Sequence, residues 1–214
     1  AAGAVLTVID LSLEGKLKNA FCAVRPPGHH AERDMALGFC IFNNIAIGAR
    51  YAIKKGFKNV FIVDFDIHHG NGTEHIFYEE PNVFYFSTHQ FPLYPGTGAK
   101  TDIGKGTAKG TNFNYPLPPG AGDKEFSDIY SKTLPELFKS FKPDIMLVSA
   151  GYDLRDKDPL ASLNVTAKGV ETIVRNIAEL AKDIPLIFSL EGGYNLSALA
   201  ESVVITLKVL TDFS

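Results

Sequence analysis

Short apolar runs rich in β-branched and aromatic residues recur along this chain, separated by stretches with helical spacing. Val60-Phe61-Ile62-Val63 and Ile145-Met146-Leu147-Val148 are apolar at every position, where a half-buried strand would alternate. Such runs fit strands covered on both faces, as in a parallel sheet between helices. The spacing predicts strands over 20–24, 59–64, 83–87, 144–149 and 185–190, with a short one at 112–117. Between the first two, Ile41, Ile45, Ala46, Ala49, Ala52 and Ile53 recur at three- and four-residue steps, and Gly56 supplies a left-handed stop. Thr166 is a candidate N-cap for a helix whose stripe is Val170, Ile173, Val174, Ile177 and Leu180, and a last helix is predicted over 196–210. The expected fold class is α/β, a three-layer sandwich around a mainly parallel sheet. Ala1-Ala2-Gly3-Ala4-Val5-Leu6 reads like the middle of a helix, so the expectation is a single domain over 1–214 that is N-terminally incomplete.

Residues 89–111 have little periodicity and carry Pro92, Pro95, Gly96, Gly98, Gly104, Gly106 and Gly110. They predict a long loop, of the kind that usually serves function. Asp64, Ser87, Asp153 and Glu191 all stand at or just beyond the C-terminal ends of apolar runs, the sheet edge where open α/β folds hold their sites. In Asp64-Phe65-Asp66-Ile67-His68-His69-Gly70-Asn71, alternate side chains point the same way, so Asp66 and His68 converge while Asp64 sits one step back. Carboxylate oxygen with imidazole nitrogen suits a divalent metal such as zinc, and Asp153 offers a third ligand. By itself an Asp-x-Asp-x-His loop also serves to cap a helix.

Arg25-Pro26-Pro27-Gly28-His29-His30 fixes a tight loop with adjacent imidazoles. Each ring must use one nitrogen on an orienting partner to free the other for proton transfer, and Asp64 and Asn71 are available for this. In Glu191-Gly192-Gly193-Tyr194, the glycines allow close backbone approach and Tyr194 can bring its hydroxyl beside a carbonyl. The 214 residues carry 21 Lys and Arg against 24 Asp and Glu, a net charge of −3, with no basic run longer than a pair. Direct nucleic-acid binding is therefore not expected. Cys22 and Cys40 give neither a disulfide framework nor a thiolate metal site. The chain contains neither a signal-peptide pattern nor an apolar stretch of the ~20 residues a bilayer span needs. A reducing, cytoplasmic setting is expected, or a nuclear one in a eukaryote.

Arg25 to His30, Gly38 to Cys40, Asp64 to Thr73, Tyr94 to Gly98, Ala150 to Asp153 and Leu190 to Leu196 together resemble, in order and spacing, the zinc-dependent histone deacetylase family. Asn71, and Glu191 before the glycine pair, resemble its class II branch and related bacterial amidohydrolases. The resemblance implies the arginase-deacetylase fold, with a roughly eight-stranded sheet. It implies Zn2+ on Asp66, His68 and Asp153; His30, backed by Asn71, as general base and then acid; His29, backed by Asp64, tuning the electrostatics; and Tyr194 donating to the substrate carbonyl. It further implies K+ held by Asp64, Asp66, His68, Ser87 and Thr88, and a lysine tube lined by Gly38, Phe39, Tyr94, Leu160 and Gly192.

The activity implied is hydrolysis of acetyl-lysine, in proteins or peptides, to lysine and acetate. The two-manganese arginase branch would need acids where Gly70 and Arg155 stand, which leaves one metal as the expectation. Members that act on acetylpolyamines carry an acidic gatekeeper after an Asp-Pro pair, whereas Asp158-Pro159 is followed here by Leu160. The alternatives are hydrolysis of acetylpolyamines or other acyl amides, and a non-catalytic acetyl-lysine binder or scaffold. Oligomeric state and physiological substrate are not legible.

Overall fold

The apolar runs form six strands: β1 (Asn19–Cys22), β2 (Val60–Asp64), β3 (Val83–Gln90), β4 (Asn112–Leu117), β5 (Ile145–Ala150) and β6 (Leu186–Leu190). In this computed structural model, which describes residues 1–213, they make one sheet in the order β1-β6-β5-β2-β3-β4, with every pairing parallel. Parallel pairing sends every C-terminal strand end to one edge. In that register Asp64 lies between Ser87 and Ser149, and Ser149 lies opposite Ser189.

Alternate residues of the central strands feed two cores. Val60, Ile62, Tyr85, Ile145, Leu147 and Ile187 meet α1 (Ala2–Leu13), α2 (Asn44–Lys54) and the short α3 (Asn71–Phe77) on one face. Phe61, Val63, Phe86, Met146, Val148 and Phe188 meet α4 (Asp123–Asp128), α5 (Leu134–Phe141), α6 (Ala167–Leu180) and α7 (Leu196–Asp212) on the other. A π-helical turn, Ile129–Thr133, joins α4 to α5. The result is the three-layer α/β/α sandwich expected, with an all-parallel sheet. No helix among the described residues is long and apolar enough to cross a membrane.

Several boundaries differ from expectation for local reasons. Helix α2 begins at Asn44, because Asn43 caps it by accepting from the Ala46 N–H at 3.0 Å, and Ile41 is left exposed outside it. Strand β3 continues to Gln90, past the expected end at Ser87, because β4 pairs along Tyr85–Gln90. The loop therefore starts two residues later than the pattern suggested. Strand β1 ends at Cys22 rather than Val24. Thr166 caps α6 as expected.

Candidate metal and catalytic site

The chain leaves β2 at Asp64 and runs through the extended turn 65–70 into α3, so Asp66 and His68 project from the sheet edge towards the segment following β5. That segment brings Asp153, and one oxygen of each acid lies 3.1 Å from His68 Nδ1: Oδ1 of Asp66 and Oδ2 of Asp153. Metal bonds of about 2.0–2.1 Å in a tetrahedral site put ligand atoms roughly 3.3 Å apart, so this spacing fits one small divalent ion. The outer carboxylate oxygens are held by backbone. Asp66 Oδ2 accepts from the Gly192 N–H at 2.9 Å, and Asp153 Oδ1 accepts from the Ile67 N–H at 3.0 Å. Such outer contacts orient a ligand set and keep its inner atoms aimed at one point.

Two glycines make the set possible. A Cβ on Gly192 would lie 2.3 Å from Asp153 Oδ2, and one on Gly151 would lie 2.0 Å from Asp66 Oδ2. Among the described residues, Asp66, His68 and Asp153 are the cluster of His, Cys, Asp and Glu able to hold a metal. The two buried acids repel and share the charge of His68. Burial opposes that charge, but hydrogen bonds to Asp153 and Asp66 outweigh it and raise His68 to about 10.

The paired histidines sit beside this cluster, with ring centroids 4.0 Å apart. His29 Nδ1 meets Asp64 Oδ2 at 3.1 Å, and Tyr85 donates its hydroxyl to the same oxygen at 3.1 Å. His30 Nδ1 donates to Asn71 Oδ1 at 2.8 Å, which leaves Nε2 with a free lone pair. Their environments divide the two rings. Burial disfavours the charge on His29, but Asp66 and Asp64 overcome it and hold its pKa well above the imidazole range. Burial, together with the charge on His29, lowers His30 to about 3. The surroundings thus favour the charge on His29 and disfavour it on His30.

Glu191 fastens the histidine loop, accepting from the Gly28 and His29 N–H groups at 2.6 and 3.2 Å and from Ser149 Oγ at 3.0 Å. Its burial lifts its own pKa to about 7. Tyr194 is half-buried, and its backbone N–H donates to Asp158 Oδ2 at 2.8 Å. Burial, with Asp66 and Asp153 nearby, pushes its phenol far above the usual range, so the hydroxyl stays a donor.

A narrow cavity of about 40 Å³ leads to the cluster, lined by His29, His30, Gly38, Phe39, Tyr94, Leu160, Gly192 and Tyr194 among others. Leu37 and Cys40 exchange backbone hydrogen bonds around a two-residue turn in which Gly38 and Phe39 both have positive φ, 53° and 65°. Paired left-handed residues of this kind make a tight hairpin turn. A bulky residue rarely adopts that backbone, and here it leaves Phe39 73% exposed at the rim, its ring 6.3 Å from that of Tyr194. Tyr94 stands edge-on to His30 at 5.2 Å. Gly38 lies against His30, whose ring a Cβ there would meet at 2.3 Å.

Asp64, Asp66, His68 and Ser87 are all buried. Among the described residues no hydrogen bond reaches the carbonyl oxygens of Asp66 and His68, an arrangement suited to a second, monovalent cation. Ser87 Oγ pairs with His89 Nδ1, and Thr88 Oγ1 pairs with the Tyr130 hydroxyl at 2.9 Å. The structure brings all the site residues expected from the sequence to one edge. It adds partners that their spacing did not announce: Tyr85 on Asp64, Gly151 beneath Asp66, Asp158 under Tyr194 and Glu32 on Asn71. Glu191 carried a signal, as an acid at a strand end.

Comparison with known proteins gives a consistent family. The model of the histone deacetylase domain matches residues 1–210. The chain is 44% identical to histone deacetylase 14, chloroplastic, of Arabidopsis thaliana over 98% of its length and 52% of that protein's. It is 41% identical to a probable deacetylase of Archaeoglobus fulgidus, covering 92% of this chain and 55% of the relative. The crystal structure of the HDA15 HD domain superposes with a TM-score of 0.93 at 38% identity, covering 99% of this chain and 60% of that one. The chain spans about half the length of the curated relatives it matches.

Proposed function

Because the chain belongs to the histone deacetylase family, with the hydrolase chemistry that membership carries, we propose that it hydrolyses the acetyl amide of acetyl-lysine in proteins or peptides, with zinc on Asp66, His68 and Asp153. The observation that carries this reading is that Asp66, His68 and Asp153 converge, and that the narrow cavity reaching Asp66 and His68 is lined also by His29, His30 and Tyr194. A bound divalent ion supplies a Lewis acid for the amide carbonyl and brings the pKa of water near neutrality.

The residues of the chain do the rest. His30 takes the proton of the attacking water at Nε2, because its Nδ1–H is committed to Asn71 Oδ1. The Tyr194 hydroxyl donates to the carbonyl oxygen as negative charge grows there, a preorganised contact of the oxyanion-hole type. His29, oriented by Asp64, favours that same charge when protonated. His30, now protonated, delivers its proton to the leaving nitrogen, and free amine and acetate result. Gly38, Phe39, Tyr94, Leu160 and Gly192 form the tube for the lysine methylenes. Asp64 and Ser87, with the carbonyls of Asp66, His68 and Thr88, hold K+ beneath the site.

Leu160 supports a lysine side chain over an acetylpolyamine, since it gives the rim no carboxylate for a second ammonium. The test is acetate release from an acetyl-lysine peptide and from an acetylpolyamine in parallel. A higher kcat/KM for the peptide is expected, and a strong preference for the polyamine would replace this substrate assignment.

A further inference from the structure

We infer that Glu32 is a positioning residue for the proton-transfer step, setting the tautomer of His30 by fixing which end of the Asn71 amide faces it. The inference rests on the roles proposed above for His30 and Asn71. An amide has a donor end and an acceptor end of nearly the same shape, so only its hydrogen-bond partners decide its orientation. With Asn71 Oδ1 towards His30, Nδ1 of the ring must carry hydrogen and Nε2 is the free base. With Nδ2 towards His30, Nδ1 must accept, hydrogen moves to Nε2, and the ring can no longer take a proton there.

Glu32 removes that ambiguity. Its Oε1 accepts from Asn71 Nδ2 at 2.5 Å, and the other Nδ2 hydrogen points to the His30 carbonyl at 3.4 Å. Flipping the amide would set Oδ1 against Oε1, two acceptors in contact. Glu32 is itself held: the same oxygen meets Nδ1 of the half-exposed His75 at 2.8 Å, and the Glu32 N–H donates to the Met35 carbonyl at 3.0 Å. The segment carrying it is pressed onto the first turn of α3, where a Cβ on Gly72 would lie 2.2 Å from the Ala31 carbonyl oxygen. His75, Glu32, Asn71 and His30 thus form a continuous line from the surface of α3 to the base.

A residue acting only in stability would behave alike whatever occupies position 71, so a double-mutant cycle separates the roles. With Asn71 present, Glu32→Ala is expected to lower kcat roughly 10- to 100-fold, with KM and metal content near parent values. Glu32→Gln, which keeps a carbonyl acceptor, should restore most of it. In an Asn71→Asp background both oxygens accept and no orientation is needed, while Glu32 now faces a like charge. There Glu32→Ala should cost nothing or raise kcat. Equal losses in both backgrounds, or no loss in either, would overturn the inference.

The nitrogen chemical shifts of His30 give a readout independent of turnover, with Nδ1–H in the parent and a mixture or the opposite tautomer in Glu32→Ala. An unchanged tautomer would also overturn the inference. A parent protein inert on acyl amides, but with this tautomer dependence intact, would instead refute the proposed function alone.

Discussion

Replacing Gly151 by alanine should disable the metal site while leaving the sheet folded. The residue directly follows β5, and the added methyl would lie 2.0 Å from Asp66 Oδ2, 2.4 Å from its Cγ and 2.5 Å from its Cβ. Rotating the carboxylate away does not relieve the last of these contacts, because the Cβ moves only with the backbone. Asp66 Oδ2 is also tied to the Gly192 N–H at 2.9 Å. Restoring ordinary van der Waals separation needs a shift of more than about 1 Å, and misplacement on that scale costs about 100-fold in a reacting site. Losing the contacts that orient a metal ligand typically costs about 10- to 100-fold in affinity. Competition against a chelator should therefore give a zinc affinity at least tenfold weaker than the parent's. Gly3→Ala is the control, since nothing lies within 4 Å of a Cβ at this α1 position, and its affinity should match the parent's. A Gly151→Ala protein that holds zinc as tightly as the parent would refute the ligand geometry described here.

Other outcomes follow from the same site. His30→Ala should lower turnover by about 10²- to 10⁴-fold with metal content unchanged, as measured by acetate release beside elemental analysis; activity within tenfold of the parent would remove His30 as the base. In the metal-free protein His68 is raised to about 10, against its burial, by Asp153 and Asp66, so it carries a proton at neutral pH that ligation through Nδ1 must displace. Metal uptake should release a proton, and affinity should weaken about tenfold per unit as pH falls from about 10 to about 7, and more steeply below, because burial and Asp66 have raised Asp153 to about 7; calorimetry in buffers of different ionisation enthalpy that detects no release would contradict this. Glu191→Ala strands the buried N–H groups of Gly28 and His29, a cost of about 1–3 kcal/mol. For a chain of this size that is a fall in Tm of roughly 2–12 °C, and an unchanged Tm would show that the loop holds itself.

The core strands were legible because β2 and β5 are buried on both faces and so are apolar at every position up to Val63 and Val148. The end of β3 was not, because Thr88, His89 and Gln90 are polar residues held in the sheet by pairing with β4 and by side-chain partners such as Tyr130 and Gly98. Ile41 misled the start of α2 because its spacing matches the stripe, and only the Asn43 cap shows that the helix has not yet begun. At the site, Asp66 and His68 could be read from a period of two, and Asp153 from its strand end. The partners of those residues could not. Glu32 meets Asn71 across 39 positions by loop packing, and Tyr85 meets Asp64 across 21 by the pairing of β3 with β2, contacts that no local pattern encodes. The close approach expected at the Gly192-Gly193 pair is made by Gly192, and Gly151 makes a second that no local signal marks; both leave room for the two carboxylates.

Acetate released from an acetyl-lysine peptide by the zinc-loaded protein, measured beside Tyr194→Phe, tests the central claim most directly. Turnover that falls about 10²- to 10³-fold in the variant, the usual loss for one oxyanion donor, with one zinc retained in both proteins, is the predicted result. Zinc bound with no acetate released by the parent, or equal turnover in parent and variant, would contradict it.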